Sequence, residues 1–394
     1  MNKASVYLNQ LGIVCALGDQ HDVIRQKLAN GDSHCLTETD NFSPGQTLPL
    51  GVVKTPLPDL CDYPPQEQTR TNQLLLAAMM QIRDAYEEAA SSIDPLRIGI
   101  VLGTSTSGIA EGEKAVAYHH EKGKLPSDFH YSRQEMASPA ASLARWLNTK
   151  GPAYIISTAC SSSAKALASA RRLLRMGVCD LVIAGGVDSL CGLTVNGFSA
   201  LESVSSNVCQ PFSLSRDGIN IGEGAALFLL SHEQGEVALR GVGETSDAHH
   251  ISAPDPEGKG AIAAMTLALQ DADLDPQDIG YLNLHGTATP QNDKMESLAV
   301  AQVLGSDVAC SSTKPYTGHT LGAAGAIEAA ICWLTLTQED AALPVHLWDQ
   351  QHDPSVATIN LVQPATRHEN LTHAMSNSFA FGGNNIALIL ERTA

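Results

Sequence analysis

The 394-residue sequence predicts an α/β protein whose sheets are covered by helices on both faces. Short apolar runs flanked by Gly or Asp recur as RIGIVLGT, AYIISTA, DLVIAGG, AALFLLS, GYLNLHGT, ATINLV and NIALILE. They lack polar alternation, as strands buried on both faces do. Between them lie segments with helical apolar spacing. With 43% hydrophobic and 17% charged residues, the chain can bury a large core, as two lobes or one large unit.

Taken in order, the N-terminus MNKASVYLNQLGIVCALGDQ has one Lys, an apolar patch broken by Asn9 and Gln10, and no signal-cleavage pattern. Residues 31–68, with Pro44, Pro49, Pro56, Pro58, Pro64 and Pro65, are expected to be a surface excursion. Helices are predicted over 72–89, 138–148, 161–177, 261–272, 295–305 and 322–336. Residues 203–219 read as an irregular loop. The acidic stretch SHEQGEVALRGVGETSDAHH marks a passage between two halves, 1–232 and 233–394.

The formal charge of −18 and the lack of a dense Lys/Arg run argue against a nucleic-acid partner. Nine cysteines, at 15, 35, 61, 160, 179, 191, 209, 310 and 332, form no CxxC pair. They suit free thiols in a reducing compartment rather than a disulfide or zinc framework. The most apolar helical run, around 321–336, contains Glu328 and is shorter than the ~20 residues a membrane span needs. A cytoplasmic protein without a membrane span is expected.

The chemistry begins at ISTACSSSAKALASARRLLRMG, residues 156–177. A strand is predicted to end at Ser157 and a helix to start directly after Cys160. The sulfur then lies at a helix N-terminus, where unpaired N–H groups and the dipole favour thiolate. A buried structural cysteine is the commoner fate of the residue, and that alternative stays open on this stretch alone.

Two more stretches add to it: NLHGTATPQND sets His285 in a turn after a strand, and SSTKPYTGHTLGAAGAIEAA sets Lys314 and His319 before a small-residue helix. At the C-terminus, NSFAFGGNNIALILE puts Phe379 and Phe381 beside Gly382 and Gly383, where a sharp turn can aim an N–H at a ligand. GTSTSGIA has the glycine spacing of a phosphate loop without the Lys-Ser/Thr that completes one. The pairs His119-His120 and His249-His250 read as solvated loop residues rather than metal ligands, and no metal site is expected.

These stretches, with GPAYIISTACSSS, LVIAGGVDS, RDGINIGEGAA and TKPYTGHTLGAAGA, resemble the β-ketoacyl synthase family of condensing enzymes, of the elongating Cys-His-His type. The resemblance runs in family order over nearly the whole chain. It implies a thiolase-like fold, five-layered αβαβα from two similar halves, with the nucleophile in the first and both histidines in the second. Cys160 resembles the acyl-accepting nucleophile, and His285 and His319 the pair that holds a malonyl thioester carbonyl. Lys314 resembles the lysine supporting the second histidine. Asp293, Glu296 and Glu328 resemble the buried polar network around that lysine.

The N–H groups of Cys160 and Phe381 resemble the oxyanion hole, with Phe381 also the gate. Thr287 and Thr289 resemble the hydroxyls on a phosphopantetheine arm; Phe198 and Phe379 resemble acyl-pocket residues. The implied reaction is decarboxylative Claisen condensation of a Cys-bound acyl group with malonyl-acyl carrier protein. It needs no cofactor beyond the carrier's phosphopantetheine. Partners implied are an acyl carrier protein and a second subunit, identical or related.

The chain departs from the family at AFGGNN, where Ala380 replaces a glycine and Asn384 a threonine, and Ala380 is expected to stiffen the gate. Gln210 and Glu202 stand where the family often has arginine. Lost positive charge at the entrance would weaken docking of an acidic carrier, leaving Arg70, Lys122, Lys124 or Arg172 as candidate contacts. These departures favour a specialised polyketide or aryl-polyene ketosynthase over the main fatty-acid elongase. The alternative is one subunit, catalytic or chain-length-shaping, of a ketosynthase heterodimer. A thiolase would need a second cysteine in the C-terminal glycine turn, and SNSFAFGGNN has none.

Overall fold

The structure, a computed structural model, describes residues 4–393. The first three residues of the N-terminal stretch lie outside that range.

The apolar runs pair into an 11-stranded mixed sheet built from two arrays. In the first, Tyr7–Val14 lies antiparallel to Gly224–Ser231, which lies antiparallel to Leu181–Asp188. That strand is parallel to Ile98–Gly103, which is parallel to Ala153–Ile156. The second array repeats the scheme. Val237–Ser246, Asn384–Arg392 and His373–Phe379 pair antiparallel, and Tyr281–Asn283 and Ala309–Ser311 continue in parallel. The two arrays touch at Tyr7 and Ala238, the first strand of each.

Both faces of the inner strands are buried, as their composition predicts, but the edge strands are not: Ala153 is exposed with Tyr154–Ile156 half-buried, and Asn360 is exposed with Leu361 half-buried. Along Gly224–Ser231, Ala226, Phe228 and Leu230 face a central cluster, whereas Ala225, Leu227 and Leu229 face an outer one. Along Asn384–Arg392, Ile386, Leu388 and Leu390 join the same central cluster, and Ala387 and Ile389 join a second outer one.

The helices Ser162–Arg175 and Ala324–Leu336 fill the central layer between the arrays. They cross closely because small residues meet there. A Cβ on Gly325 would lie 2.7 Å from that of Ala164. Arg70–Gln81 and Ser138–Trp146 cover one outer face, Lys259–Ala272 and Pro290–Val303 the other. This is the five-layered thiolase-like arrangement.

Several elements differ from the sequence-based expectation. The helix predicted over 72–89 is two, Arg70–Gln81 and Arg83–Ala90, broken at Ile82. Within 31–68, Thr37–Thr39 and Leu48–Leu50 form a hairpin, and Leu48 and Leu50 are buried. Residues 203–219 are irregular yet bury Ser205, Cys209, Phe212, Ser213 and Arg216. The acidic passage contains the ten-residue strand Val237–Ser246, because Val237, Ala238, Leu239, Gly241 and Gly243 are buried while Arg240 and Glu244 stay half-exposed among them. Helices His21–Asn30, Ile109–Lys122 and Gly192–Ala200 had no counterpart in the sequence reading. His119 and His120 sit in the last turn of Ile109–Lys122, exposed, rather than in a loop.

All nine cysteines are free. Among the described residues, no helix is long and apolar enough to cross a membrane.

Candidate active site

The strand Ala153–Ile156 ends near the contact of the two halves, and the helix Ser162–Arg175 leaves from the same point. A tight turn joins them, with Ala159 in the left-handed region at φ 53°. Ser162 fastens it: the Thr158 N–H donates to its Oγ at 2.9 Å, and that hydroxyl donates to the Ala159 carbonyl at 2.5 Å. Cys160 therefore projects from a strained elbow. The strand ends one residue earlier, and the helix begins one residue later, than the sequence suggests.

Cys160 is 7% exposed and its Sγ lies 2.9 Å from Nε2 of His319. Backbone N–H groups of Cys160 and Phe381 act on the same sulfur. The expectation of a resting thiolate needs correction. Burial pushes the thiol up to about 12, and the pull of Lys314 and of the two N–H groups does not offset it. The resting Cys160 is therefore a thiol that shares one hydrogen bond with His319 Nε2.

His319 follows Gly318, whose φ of 68° turns the chain inward. Its N–H donates to the Asn220 carbonyl at 2.6 Å and its carbonyl accepts from Gly222 N–H at 2.9 Å. Its Nδ1 has no hydrogen-bond partner among the described residues. His285, just past the strand Tyr281–Asn283, is held by Glu296. The N–H groups of His285 and Gly286 donate to the two carboxylate oxygens at 2.8 and 2.7 Å. The imidazoles stand edge to face, centroids 5.6 Å apart at 83°. Burial, then the Lys314 ammonium, hold both well below the ordinary histidine range, so both are neutral.

Lys314 corrects another expectation. It supports the first histidine, not the second: Nζ donates to the His285 carbonyl and lies 3.5 Å from His285 Nδ1. Its charge is matched by Glu328 in a fully buried ion pair. The strand end that carries His285 brings the imidazole over Lys314, whereas His319 faces Cys160. Of the other acids, only Glu328 touches the lysine. Glu296 holds the His285 backbone, and Asp293 accepts from Phe212 N–H at 2.7 Å, anchoring the 203–219 loop. Burial raises Asp293 to about 6 and Glu296 to about 7.

A cavity of about 340 Å³ opens on Cys160, His285 and His319. Phe198, Phe379 and Phe381 form apolar walls, with Phe198 and Phe381 5.8 Å apart. Thr287 and Thr289 also line it, their hydroxyls 2.9 Å apart. Exposed Glu202 lines it too, whereas Gln210 lies elsewhere, bonded to the Val208 carbonyl. Ala380 sits at φ −98°, ψ 153°, conventional extended backbone, so the missing glycine costs the loop nothing. The left-handed positions are Gly382 and Gly383, which are retained. Of the basic candidates, Arg70 is paired with Glu223, Lys122 with Glu121 and Arg172 with Glu244, and Lys124 is exposed.

The glycine-spaced GTSTSGIA stretch holds a carboxylate of the chain itself. Buried Asp188 accepts from the N–H groups of Ser105 and Thr106, from the hydroxyls of Thr104, Ser105 and Thr106, and from Gly322 N–H at 2.6 Å. It thereby ties this loop to the segment just past His319. Asp188, Asn220 and Asn385, which donates to Asp247 at 2.6 Å, are supports the sequence reading did not single out. Their signal was present as polar residues inside otherwise apolar or Gly-rich motifs.

The Cys160 Sγ and one ring nitrogen of each histidine lie within 4.8 Å of one another, a spacing a soft cation could bridge. The ammonium of Lys314 beside His285 opposes a cation there. What the set can do unaided is nucleophilic acyl transfer: a thiol, an adjacent acceptor, two aimed N–H groups and two neutral imidazoles around one cavity.

Comparison with known proteins agrees with this geometry. Residues 48–235 match the β-ketoacyl synthase N-terminal domain, and residues 237–347 the β-ketoacyl synthase C-terminal domain. A 3-oxoacyl-[acyl-carrier-protein] synthase 2 from Rhizobium meliloti (strain 1021) is 32% identical over 98% of each chain. Among solved structures, a chain of the ketosynthase ApeO in complex with its chain length factor ApeC, from Xenorhabdus doucetiae, is 45% identical. It superposes with a TM-score of 0.94 over 99% of this chain and 98% of that one. A β-ketoacyl synthase from Burkholderia phymatum STM815 is 29% identical, with a TM-score of 0.88 over 99% and 100%. The chain belongs to the β-ketoacyl synthase family.

Proposed function

We propose that the protein is an acyltransferase of the 3-oxoacyl-[acyl-carrier-protein] synthase type, with Cys160 as nucleophile. The observation that carries the reading is the 2.9 Å contact of Cys160 Sγ with His319 Nε2, on a sulfur that the N–H groups of Cys160 and Phe381 also influence.

In the first half-reaction the sulfur attacks the carbonyl of an acyl thioester as its proton passes to His319. The oxyanion is held by the N–H groups of Cys160 and Phe381. Collapse expels the carrier's phosphopantetheine thiolate, which takes the proton from His319, leaving the acyl group on sulfur and the histidine neutral.

In the second, a malonyl thioester takes the vacated site, with Thr287 and Thr289 on its phosphopantetheine arm. Loss of CO2 leaves an enolate whose oxygen accepts from the N–H groups of His285 and His319. Lys314 at Nδ1 of His285 keeps that ring's proton on Nε2, facing the enolate. His319, with no partner at Nδ1, is free to move its single proton to Nε2 once the sulfur is acylated. Attack of the enolate carbon on the Cys160 thioester forms the new C–C bond and breaks the C–S bond. It releases a 3-oxoacyl thioester two carbons longer, and the Cys160 thiolate takes up a proton from water, the one consumed overall as CO2 leaves. Each residue's role is supported by its position, and no metal or further cofactor is used.

A specialised polyketide or aryl-polyene role, with a ketosynthase-like partner subunit, is the second half of the proposal. It is favoured by 45% identity to a chain from a ketosynthase–chain length factor complex, against 32% to the 3-oxoacyl-[acyl-carrier-protein] synthase 2. Exposed Glu202 at the cavity also suits a dedicated carrier protein. The nine free thiols favour a reducing compartment such as the cytoplasm.

The test is incubation with malonyl-carrier protein and saturated, polyunsaturated and aryl acyl-carrier proteins, with and without a chain-length-factor-type partner, following product mass. Extension by two carbons of polyene or aryl chains supports the specialised role. Extension of short saturated chains alone assigns ordinary elongation. No extension under any condition overturns the enzymatic reading.

A further inference from the structure

The turn carrying Phe381 is fixed largely from within its own half. The Ala380 N–H donates to the Asn384 carbonyl at 2.9 Å and the Gly383 N–H to the Ala380 carbonyl at 3.0 Å. The Gly382 N–H donates to the Ile251 carbonyl at 2.8 Å, and the Asp247 N–H to the Gly383 carbonyl at 2.9 Å. None of these bonds reaches the helix that begins just past Cys160. One side chain does: Lys165, on that helix, donates from Nζ to Asn384 Oδ1 at 3.2 Å.

Both ends of this bond are informative. Asn384 is where the family pattern GFGGTN has threonine, whose shorter side chain ends closer to the backbone. Its side chain also lies over the left-handed Gly382, with Nδ2 3.8 Å from where a Cβ would stand. Lys165 is half-buried, and loss of solvent lowers its pKa, so it is not a freely solvated surface lysine. It stands five residues past Cys160, on the rigid element that sets the sulfur. A lysine held in one place by burial needs a partner, and Asn384 is the acceptor supplied.

Building on the condensing-enzyme reading, we propose that Lys165 is a positioning residue for acyl transfer. Through Asn384 it fixes the turn that aims the Phe381 N–H at the Cys160 sulfur. The bond sets the separation of the two N–H donors that share the oxyanion. Its loss widens or loosens that separation without touching the histidines. Donors of this kind work only within a few tenths of an ångström of the oxyanion, so a small displacement is costly.

The experiment separates the two half-reactions. Acylation of Cys160 by an acyl thioester is followed by intact-protein mass, and CO2 release from the malonyl thioester by the acylated enzyme is followed separately. In Lys165→Met, acylation slows roughly tenfold while CO2 release changes less than about twofold, because the enolate is held by His285 and His319. Lys165→Arg, which keeps a donor, recovers most of the rate. Asn384→Leu reproduces the Lys165→Met defect, and the double variant is no worse than either single one.

Equal slowing of both steps, together with a lowered melting temperature, marks Lys165 as merely structural and overturns the proposal. So does unchanged acylation in Lys165→Met. If the wild type itself neither acylates nor condenses, the condensing-enzyme reading has failed rather than the role of Lys165.

Discussion

The sulfur of Cys160 and the Nε2 of His319 approach to 2.9 Å although the residues lie 159 positions apart in the chain. One comes from the elbow after a strand of the first array, the other from the turn before the second central helix. The contact exists only because the two halves pack on each other, so the acyl-transfer site is a product of the interface between them. Cys160→Ala is expected to abolish acylation and condensation while leaving the fold intact, since it removes a single buried atom. Intact mass after exposure to an acyl thioester checks the first point and circular dichroism the second. An unchanged adduct in Cys160→Ala would mean that another residue is the nucleophile.

The Lys314–Glu328 pair is buried at both ends, with side chains 2% and 4% exposed. Lys314→Ala leaves an unpaired carboxylate in the core and should destabilise the protein by about 3–5 kcal/mol in denaturant unfolding. Lys314→Met combined with Glu328→Gln should recover most of that stability and none of the activity, because His285 then lacks its cation. Recovery of both would show that the pair serves folding alone.

The neutral histidines give a sign to the pH profile. An ordinary imidazole titrates near about 6.5, but burial and Lys314 hold His285 and His319 well below that. In Glu296→Gln, which removes the carboxylate that titrates in the same window, the decarboxylation rate should therefore stay level as pH falls from about 7 to about 6, whereas normal histidines would gain protons there. A fall in rate with a midpoint near about 6.5 would contradict the electrostatics of the site.

How much of this was legible depended on whether the signal was local. The buried strands and the helices at 138–148, 161–177 and 261–272 are recoverable because one face or both are apolar over a whole element. Cys160, His285 and His319 are recoverable because each sits where a strand or helix pattern stops. What depended on distant packing was not. The partner of Lys314 is set by how the Tyr281–Asn283 strand end lies over it, and nothing in TKPYTGH says which imidazole it meets. The break at Ile82 falls within a continuous helical pattern, and the strand Val237–Ser246 hid behind its charges. Ala380 looked consequential in AFGGNN until its φ was known.

Glu296 offers a test through stability. Its folded pKa, about 7, is raised from an ordinary 4.5, so between those values the folded state binds more protons than the unfolded state. Stability should fall as pH rises through that window, by up to about 1.4 kcal/mol per pH unit for this proton. Glu296→Gln removes that contribution, so its unfolding free energy should decline less than the wild type's between about pH 5 and about pH 7. Parallel curves for the two proteins would place the carboxylate's proton elsewhere.

The most direct test of the central claim is peptide mapping of the wild-type protein after brief incubation with an acyl-carrier protein thioester. One acyl adduct is expected on the peptide containing Cys160, discharged when malonyl-carrier protein is added, with appearance of a 3-oxoacyl product two carbons longer. An adduct on any of the other eight cysteines, or one at Cys160 that malonyl-carrier protein does not discharge, would contradict that claim.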